Sequence, residues 1–348
     1  MNRPTTLPDR PTVLISTYLE PHLVERIATE LSVEVLYDPA LLPQPRYGND
    51  HGGVRPELDE EAERRWLDML ARADVAFDFD WRAPSLMTAN APRLIWVQAT
   101  SAGIGAFVQR HGLDTGEVVL TTAAGTHAVP LAEFAVGGVL HFVKDIPRLQ
   151  AHQREHHWER HVSGQLAGRR VTVVGLGAIG RKVAETFDAL GTDVTGVGRV
   201  GGSYAVPAGV RVVSTDDLDE VLPSSDVLVL AVPLTAETDG LVDAGRVAAL
   251  PPGAIVVNIA RGPVIDESAL TEGLGSGRLG GAVLDVFEVE PLPTDSALWD
   301  LPNVLVSPHS ASTAAVENEV LVELFIDNFR RLRDGEPLVN RYRPDLGY

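Results

Sequence analysis

The first third of the chain alternates short apolar runs with segments in which apolar residues recur at helical spacing. The apolar runs are residues 12–16, 33–37, 74–78 and 94–99. Between them, residues 20–31 and 58–72 have the period of an amphipathic helix. Short apolar strands that alternate with such helices are typical of βαβ units. The pattern therefore predicts an α/β domain with a parallel sheet at the start of the chain.

A second and longer series of apolar runs begins after residue 170. Its members are residues 171–175, 193–198, 210–214, 226–232, 254–260, 281–287 and 303–308. These runs are apolar on both faces, as central strands are when helices cover a parallel sheet on two sides. Helices are predicted over 131–143 and 314–333, and the apolar residues of the second indicate that it packs on the first domain. The chain is therefore predicted to contain a second, larger α/β domain.

Two polar segments interrupt these patterns. Residues 38–56 are rich in proline, glycine and asparagine, and we interpret this long loop as a surface insertion or a lid. Residues 148–161 are very polar, and their histidines are His152, His156, His157 and His161. Two pairs have i, i+4 spacing, which can bind a metal, but the order H-E-x-x-H is lacking. We interpret the segment as a solvated polar helix and predict no metal site.

The composition narrows the class of protein. At roughly 150 residues per domain, a chain of 348 residues predicts two domains. The net charge of −19 argues against broad binding to nucleic acid or to an anionic membrane surface. The absence of cysteine excludes disulfides, thiolate nucleophiles and cysteine-ligated metal centres. No run approaches the roughly 18 apolar residues of a membrane helix, and the chain starts without an apolar signal segment, so we expect a cytoplasmic protein.

A glycine-rich turn follows the first strand of the second series. Residues 175–180 read Gly-Leu-Gly-Ala-Ile-Gly, a G-x-G-x-x-G pattern directly after the run VTVV and before the helix-like RKVAETFDAL. In this context Gly175 can make the tight turn, Gly177 can admit a pyrophosphate, and Gly180 can let the helix pack closely on the strand. The N-terminus of the helix would attract the phosphates. We predict a dinucleotide-binding domain of the doubly wound, Rossmann type.

Three polar residues, Arg261, Glu290 and His309, follow the last three apolar runs. In doubly wound sheets, ligands bind beyond the carboxyl ends of the strands. A guanidinium offers paired donors to a carboxylate, and a histidine beside a carboxylate is suited to exchange a proton. Together the three residues would suit the reduction of a 2-keto acid.

The end of the second strand of this domain indicates which nicotinamide cofactor is used. An NAD enzyme usually has an acidic residue about 20 residues beyond the glycine turn, where it binds the ribose hydroxyls. Here Gly198 occupies that place, and no acid follows until Asp216. Arg199 is placed to meet a 2′-phosphate, Gly201 and Gly202 would leave room for it, and Ser203 is a further donor. We predict that NADP is preferred, with NAD possible as well.

Several motifs resemble, in order and spacing, the D-isomer-specific 2-hydroxyacid dehydrogenase family, in particular its glyoxylate and hydroxypyruvate reductases. The motifs are VTVVGLGAIGRKVA (171–184), LAVPLTAETDGLV (230–242), VVNIARGPVIDESAL (256–270), LDVFEVEPLP (284–293) and LPNVLVSPHSAS (301–312). The resemblance covers most of 94–348. It implies two α/β domains, a Rossmann domain inserted into a flavodoxin-like substrate domain. We place the substrate domain at 1–122 and 311–348 and the dinucleotide-binding domain at 123–310.

The resemblance also implies roles for individual residues. Arg261 would bind the carboxylate and carbonyl of the substrate, and His309, paired with Glu290, would be the acid and base. Backbone amides of Ser101, Ala102 and Gly103 would cradle the carboxylate, although Gly105 stands where the family usually has Asp. Asp285 would meet the nicotinamide carboxamide. Cofactor contacts are expected at Gly175, Gly177, Ala178, Ile179, Gly180, Arg199, Pro233, Thr238, Ala260 and Asp285. Trp158 matches a tryptophan of a segment often found at the dimer contact, which implies a homodimer.

The expected reaction is hydride transfer between NAD(P)H and a small 2-keto acid, with glyoxylate or hydroxypyruvate favoured. Formate dehydrogenases of the family have Gln at the position of Glu290, which argues against that chemistry. Phosphoglycerate dehydrogenases with extra regulatory domains are longer, and we expect this chain to lack such a domain.

Two alternatives remain at this stage. A serine hydrolase could use Ser101, because residues 99–103 read A-x-S-x-G and His51-Gly52-Gly53 is similar to an oxyanion turn. That interpretation leaves the glycine turn and Arg261 without a role. A non-catalytic NAD(P)-sensing protein on the same fold is the other alternative, against which Arg261, Glu290 and His309 weigh.

Overall fold

The computed structural model describes residues 6–344 and divides into two compact units. Unit 1 combines the chain up to Thr126 with the chain from Thr313 onwards, and unit 2 is His127–Ser312. The sequence predicts these boundaries at 122/123 and 310/311. Residues 1–5 and 345–348, which that prediction assigns to the substrate domain, lie outside the described residues.

Each unit contains one parallel sheet built from the described strands. In unit 1 the strands are β1 (Thr12–Ile15), β2 (Glu34–Leu36), β3 (Val75–Phe77), β4 (Trp96–Gln98) and β5 (Val119–Thr121). In unit 2 they are β6 (Arg170–Val174), β7 (Asp193–Gly198), β8 (Arg211–Ser214), β9 (Val227–Leu230), β10 (Ile255–Asn258), β11 (Gly281–Leu284) and β12 (Val304–Val306).

The order of the strands identifies the architecture of each unit. It is β2-β1-β3-β4-β5 in unit 1, the flavodoxin-like order, and β12-β11-β10-β9-β6-β7-β8 in unit 2. The second order is the Rossmann order 3-2-1-4-5-6 with one further strand at its end, β12. The predicted fold class, two doubly wound parallel-sheet domains, is confirmed.

Helices connect the strands and cover both sheets. They are α1 (Pro21–Leu31), α2 (Glu60–Arg72), α3 (Met87–Asn90), α4 (Gly105–His111), α5 (Ala128–Val143), α6 (Ile146–Arg154), α7 (Ala178–Ala189), α8 (Leu218–Val221), α9 (Ala244–Ala249), α10 (Glu267–Gly275) and α11 (Glu317–Asp334). Asp59 shows why one of them begins where it does, because its carboxylate accepts a hydrogen bond from the amide of Ala62 in the first turn of α2. Within residues 6–344, no helix has the length and apolar character that a membrane span requires.

Helix α11 returns to the core of unit 1. Its residues Leu321, Phe325 and Phe329 are fully buried, and the rings of Phe325 and Trp96 stack with 5.0 Å between their centroids. The prediction that the last helix packs on the first domain is therefore confirmed.

The central strands of unit 2 are buried on both faces. In β9, Leu228 belongs to the core on one side of the sheet, whereas Val227 and Val229 belong to the core on the other side. The prediction that apolar residues are buried on both faces is wrong for β8 and β12, which are the edge strands. Val212 in β8 is 41% exposed because an edge strand lacks a neighbour and is incompletely covered.

Candidate active site

The turn after β6 gives each of its three glycines a different environment. Gly175 has φ +99°, and a Cβ there would lie 2.5 Å from the carbonyl oxygen of Ala231. A Cβ on Gly180 would lie 1.7 Å from the carbonyl oxygen of Gly175, so α7 can approach this turn only with glycine there. Gly177 is exposed, and the space where its Cβ would point is open.

The residues of this turn fit the phosphates of a dinucleotide. Gly177 directly precedes α7, whose first residues Ala178 and Ile179 are half-buried. The first amides of a helix have no partner within the helix and attract negative charge. The missing side chain of Gly177 therefore leaves room for phosphate beside donors that suit it.

The loop after β7 is organised by Tyr204. Its hydroxyl oxygen accepts a hydrogen bond from the backbone amide of Arg199 at 2.7 Å, and a Cβ on Gly198 would lie 2.2 Å from its ring. A Cβ on Gly202 would lie 2.4 Å from the same hydroxyl. The expectation that Gly202 leaves room for a phosphate is therefore wrong, because Tyr204 fills that space. Around Gly201 the space is open, and Arg199 is exposed.

Thr238 stabilises the turn that follows β9. Its hydroxyl donates a hydrogen bond to the carbonyl oxygen of Pro233 at 2.6 Å and accepts one from the amide of Thr235 at 2.8 Å. Pro233 is exposed and Thr238 is half-buried. Both residues therefore shape the loop beyond β9, and their predicted contact with a cofactor stays a prediction.

Arg261 is presented by a turn that Asn258 holds. The buried amide group of Asn258 donates to the carbonyl of Arg261 at 3.1 Å and accepts from the amide of Ala260 at 3.0 Å. The guanidinium of Arg261 donates from Nη1 to the carbonyl of Ala260 at 2.6 Å. Sequence reasoning missed Asn258, although an asparagine at the end of a buried apolar strand was an available signal.

Gly262 brings the chain after β10 against the chain after β11. A Cβ on Gly262 would lie 1.9 Å from the carbonyl carbon of Phe287. Any other residue here would force one of the two backbones to move. Arg261 and the segment that leads to Glu290 are thereby held close to each other.

Glu290 and His309 form a hydrogen-bonded pair. The Nδ1 atom of His309 lies 2.8 Å from Oε2 of Glu290, and Oε1 of Glu290 accepts from the amide of Phe287 at 3.1 Å. His309 has a left-handed backbone with φ +54°, a conformation that non-glycine residues adopt mainly where surrounding structure enforces it. The carboxylate fixes the orientation of the ring and leaves Nε2 available for chemistry.

Asp285 anchors the segment that carries His309. Its buried Oδ1 accepts hydrogen bonds from the hydroxyl of Ser307 at 2.6 Å and from the amides of Ser310 and Ala311 at 2.9 and 3.0 Å. These donors flank His309 on both sides. Asp285 therefore has a positioning role that sequence reasoning missed, next to its predicted contact with the nicotinamide.

Arg261, Glu290 and His309 lie beyond the carboxyl ends of three neighbouring strands of unit 2, β10, β11 and β12. Parallel strands that lie side by side end at the same edge of the sheet. The structure therefore brings these predicted residues to one edge.

The predicted carboxylate cradle is the loop after β4 in unit 1. Ser101 and Gly103 are exposed and Ala102 is half-buried. The amide of Gly103 donates to Oγ of Ser101 at 3.3 Å, and the carbonyl of Ser101 accepts from the amide of Ala123 at 3.0 Å. Helix α4 begins directly after this loop, at Gly105.

The serine hydrolase alternative requires a strained nucleophile turn at Ser101 and an oxyanion turn at Gly52 and Gly53, and neither has the expected geometry. Ser101 does not have the left-handed backbone of a strained nucleophile turn. The amides of Gly52 and Gly53 both donate to Oδ1 of Asp50 at 3.1 Å, so they are not available as an oxyanion turn. The glycines after His51 stabilise their own loop instead.

The histidine-rich segment differs from the predicted polar helix. Helix α6 ends at Arg154, and His156 has φ +51°, which reverses the chain and brings His157 back toward His152. His152, His157 and Glu159 offer ligand atoms within 4.8 Å of one another. Glu159 is paired with Arg148 at 3.0 Å, and this hydrogen bond lowers the pKa of its carboxyl. That the histidine-rich segment binds no metal stays a prediction.

Large apolar side chains are exposed on the segment after α6. Trp158 is 94% exposed and Val162 is 98% exposed. Exposure of this extent is unusual for apolar side chains that lie close together in the chain.

Comparison with known proteins adds independent evidence. Residues 136–311 match the family model of the D-isomer specific 2-hydroxyacid dehydrogenase NAD binding domain. The D-3-phosphoglycerate dehydrogenase of Mycobacterium bovis is 36% identical over 283 residues, which cover 75% of this chain and 51% of that protein. The glyoxylate/hydroxypyruvate reductase A of Salmonella newport is 31% identical over 273 residues, which cover 77% of this chain and 86% of that protein.

A crystal structure also matches both units. It is a D-isomer specific 2-hydroxyacid dehydrogenase from Xanthobacter autotrophicus Py2 in complex with NADPH and MES, with 34% identity and a TM-score of 0.75, over 97% of this chain and 99% of that one. The chain spans about half the length of the D-3-phosphoglycerate dehydrogenases that it matches. Fold, site geometry and matches lead to one conclusion: the chain belongs to the D-isomer-specific 2-hydroxyacid dehydrogenase family.

Proposed function

We propose that the protein reduces small 2-keto acids to D-2-hydroxy acids with NADPH, with unit 1 as the substrate domain and unit 2 as the dinucleotide-binding domain. The observation that carries the proposal is the 2.8 Å hydrogen bond between Nδ1 of His309 and Glu290 at the carboxyl edge of a dinucleotide-type sheet. A histidine held in this way, at the same sheet edge as an arginine, is suited to protonate the carbonyl oxygen of a keto acid whose carboxylate the arginine binds. The name of the Salmonella relative supports glyoxylate and hydroxypyruvate as substrates.

Each residue of the site has a separate role in the proposed reaction. A dinucleotide whose pyrophosphate is held at the glycine turn would supply the hydride from its nicotinamide. The guanidinium of Arg261 exchanges its hydrogen bond with the carbonyl of Ala260 for paired bonds to the substrate carboxylate. Protonated His309 donates its proton from Nε2 to the carbonyl oxygen, while Glu290 stabilises the positive charge before that transfer.

The preference for NADPH rests on the loop after β7. Arg199 is exposed there, and the ring of Tyr204 fills the space beside Gly198 where an acidic side chain would bind a ribose. The Xanthobacter relative was crystallised with NADPH. We expect Arg199→Ala to raise the Kd for NADPH about 10-fold or more, because a hydrogen bond to a charged group is lost, and to leave the Kd for NADH unchanged. Arg55→Ala, an exposed arginine in unit 1, is the control.

This cofactor proposal is checked by titrating protein fluorescence with each nucleotide. Wild-type protein that binds NADH as tightly as NADPH would contradict it, as would an equal loss of both affinities in Arg199→Ala.

We also propose a homodimer that covers the exposed segment around Trp158. Burial of Trp158 and Val162 against a second copy would remove apolar surface from water. Light scattering after gel filtration should give twice the chain mass for wild type and a lower mass for Trp158→Asp. A wild-type monomer would contradict the proposal.

The experiment that tests the proposed function is an assay of NADPH oxidation with glyoxylate, hydroxypyruvate, pyruvate and phenylpyruvate. Turnover of at least one of these acids is expected. Tight NADPH binding without turnover would favour a sensing protein instead.

A further inference from the structure

The turn after α6 brings side chains of unit 2 that can bind a metal together at the surface. Helix α6 ends at Arg154, and the left-handed backbone of His156, with φ +51°, turns the chain back. The amide of His157 then donates a hydrogen bond to the carbonyl oxygen of His152 at 2.9 Å. This turn therefore places His157 beside a histidine of the preceding helix.

Three ligand atoms lie close together at this turn. Nε2 of His157 lies 3.6 Å from Oε2 of Glu159, and Nε2 of His152 lies 3.9 Å from the same oxygen. The ligand atoms of the three residues all lie within 4.8 Å of one another. Ligand atoms around a tetrahedral zinc ion are about 3.3 Å apart, because the Zn–N bonds measure about 2.0–2.1 Å. Small rotations of the side chains are therefore sufficient to close the three ligands around an ion.

Neighbouring groups hold these ligands in position. His152 is half-buried, and its ring stands at 86° to that of His157, with 4.7 Å between the centroids. Arg148 donates a hydrogen bond to Oε2 of Glu159 at 3.0 Å, which lowers the pKa of the Glu159 carboxyl and keeps it in the ionised form that binds metal. Carboxylates that bind metals commonly accept an outer hydrogen bond of this kind. The positive charge of Arg148 opposes a cation, so we expect an affinity in the micromolar range.

The prediction that this segment binds no metal assumes a continuous helix without the order H-E-x-x-H. The structure removes the first assumption, because the chain reverses at His156 and brings Glu159 beside the two histidines. We propose that His152, His157 and Glu159 form a binding site for a transition-metal dication, for which Zn²⁺ is the best match. Two imidazoles and one carboxylate are ligands of tetrahedral zinc sites and leave one position for water. Mg²⁺ and Ca²⁺ prefer oxygen ligands.

The ion holds the segment that carries Trp158. This tryptophan lies between the ligands His157 and Glu159 in the chain, and its side chain is 94% exposed. Coordination ties both of its neighbours to His152 in α6, so the exposed ring is presented on a fixed backbone. The site is therefore structural, and it shares no residue with the candidate active site.

Isothermal titration calorimetry with Zn²⁺ tests the proposed site. The titration is done at about pH 8, since histidine binds metal in its neutral form. Wild-type protein that has been stripped with EDTA and dialysed should bind Zn²⁺ with a micromolar Kd, whereas Mg²⁺ should produce no heat of binding. His157→Asn and Glu159→Gln should each weaken Zn²⁺ binding at least about 10-fold, because even the loss of an outer hydrogen bond to a ligand costs about 10- to 100-fold.

His156→Asn is the matched control for these variants. It removes a histidine from the same turn but keeps the left-handed backbone, which asparagine tolerates, so the Kd for Zn²⁺ should change less than about twofold. Thermal melts identify variants that fail to fold.

A spectroscopic measurement on wild-type protein locates the ion without any variant. In NMR spectra of ¹⁵N-histidine protein, Zn²⁺ should shift the Nε2 resonances of His152 and His157 and leave those of His156 in place. Neither measurement requires turnover of a keto acid, so this inference and the proposed function can fail separately. Absence of Zn²⁺ binding, an affinity that His157→Asn leaves unchanged, or shifts at His309 in place of His152 would overturn the inference.

Discussion

The two sheets carry polar side chains at their carboxyl edges, but they assemble these edges differently. In unit 2, Arg261, Glu290 and His309 each follow a strand. The segments around them are held by a hydrogen bond that Asn258 donates and by hydrogen bonds that Asp285 accepts. In unit 1, Thr17 and Asp78 follow strands, whereas His51 comes from a loop far from either in sequence. Functional residues that follow a strand can be predicted from the sequence motif of that strand. Residues that reach a sheet edge from a distant loop can be identified only from the structure.

The largest effect should come from the proton donor of unit 2. His309→Asn keeps a hydrogen bond to Glu290 but cannot donate a proton, so we expect kcat to fall about 10²- to 10⁴-fold. The Kd for NADPH should change less than about twofold, since the loss is confined to the transition state. Steady-state kinetics and fluorescence titration measure the two quantities, with His22→Asn as the control. An active His309→Asn enzyme would remove His309 from the mechanism.

A substitution at Gly262 tests whether the close approach of Gly262 to the backbone of Phe287 stabilises unit 2. Gly262→Ala places a Cβ 1.9 Å from the carbonyl carbon of Phe287, and we expect it to lower the free energy of unfolding by about 3 kcal/mol. Gly275→Ala is the matched control, because its Cβ would lie 3.9 Å from the nearest atom, Leu301 Cδ2. Its effect should stay within about 1 kcal/mol. Urea denaturation compares both variants, and equal stabilities would contradict the packing argument.

The sequence was most informative where a fold requirement is local. The run at 193–198 predicts β7 with its observed ends, and the glycine turn predicts that a helix follows it, although α7 begins at Ala178, three residues before the predicted start. It did not predict β5, because VLT (119–121) is too short to show a pattern. For Tyr204, no local rule relates a tyrosine to a glycine six positions earlier. Both the pairing of β5 and the position of Tyr204 depend on tertiary packing, which cannot be predicted from the periodicity of the sequence.

The smallest effect should come from the loop of unit 1, through Asp50. The hydrogen bond from Arg46 holds the pKa of the Asp50 carboxyl well below its usual range, so the ionised form stabilises the fold above about pH 4 and loses this contribution as the pH falls. Asp50→Asn should therefore cost about 1–3 kcal/mol at pH 7 and less at pH 3. Urea denaturation at both pH values measures the cost, with the exposed Asp68→Asn as the control. A cost that does not depend on pH would contradict this assignment.

The central claim is that the protein transfers a hydride from its nicotinamide cofactor to a 2-keto acid, and isotope transfer tests it most directly. Wild-type protein is incubated with hydroxypyruvate and NADPH that carries deuterium at both C4 positions of the dihydronicotinamide ring, and the product is analysed by mass spectrometry and chiral chromatography. The account predicts D-glycerate with one deuterium on C2, formed at least about 100-fold more slowly by His309→Asn. Product without deuterium, product of the L configuration, or unchanged hydroxypyruvate beside tightly bound NADPH would contradict it.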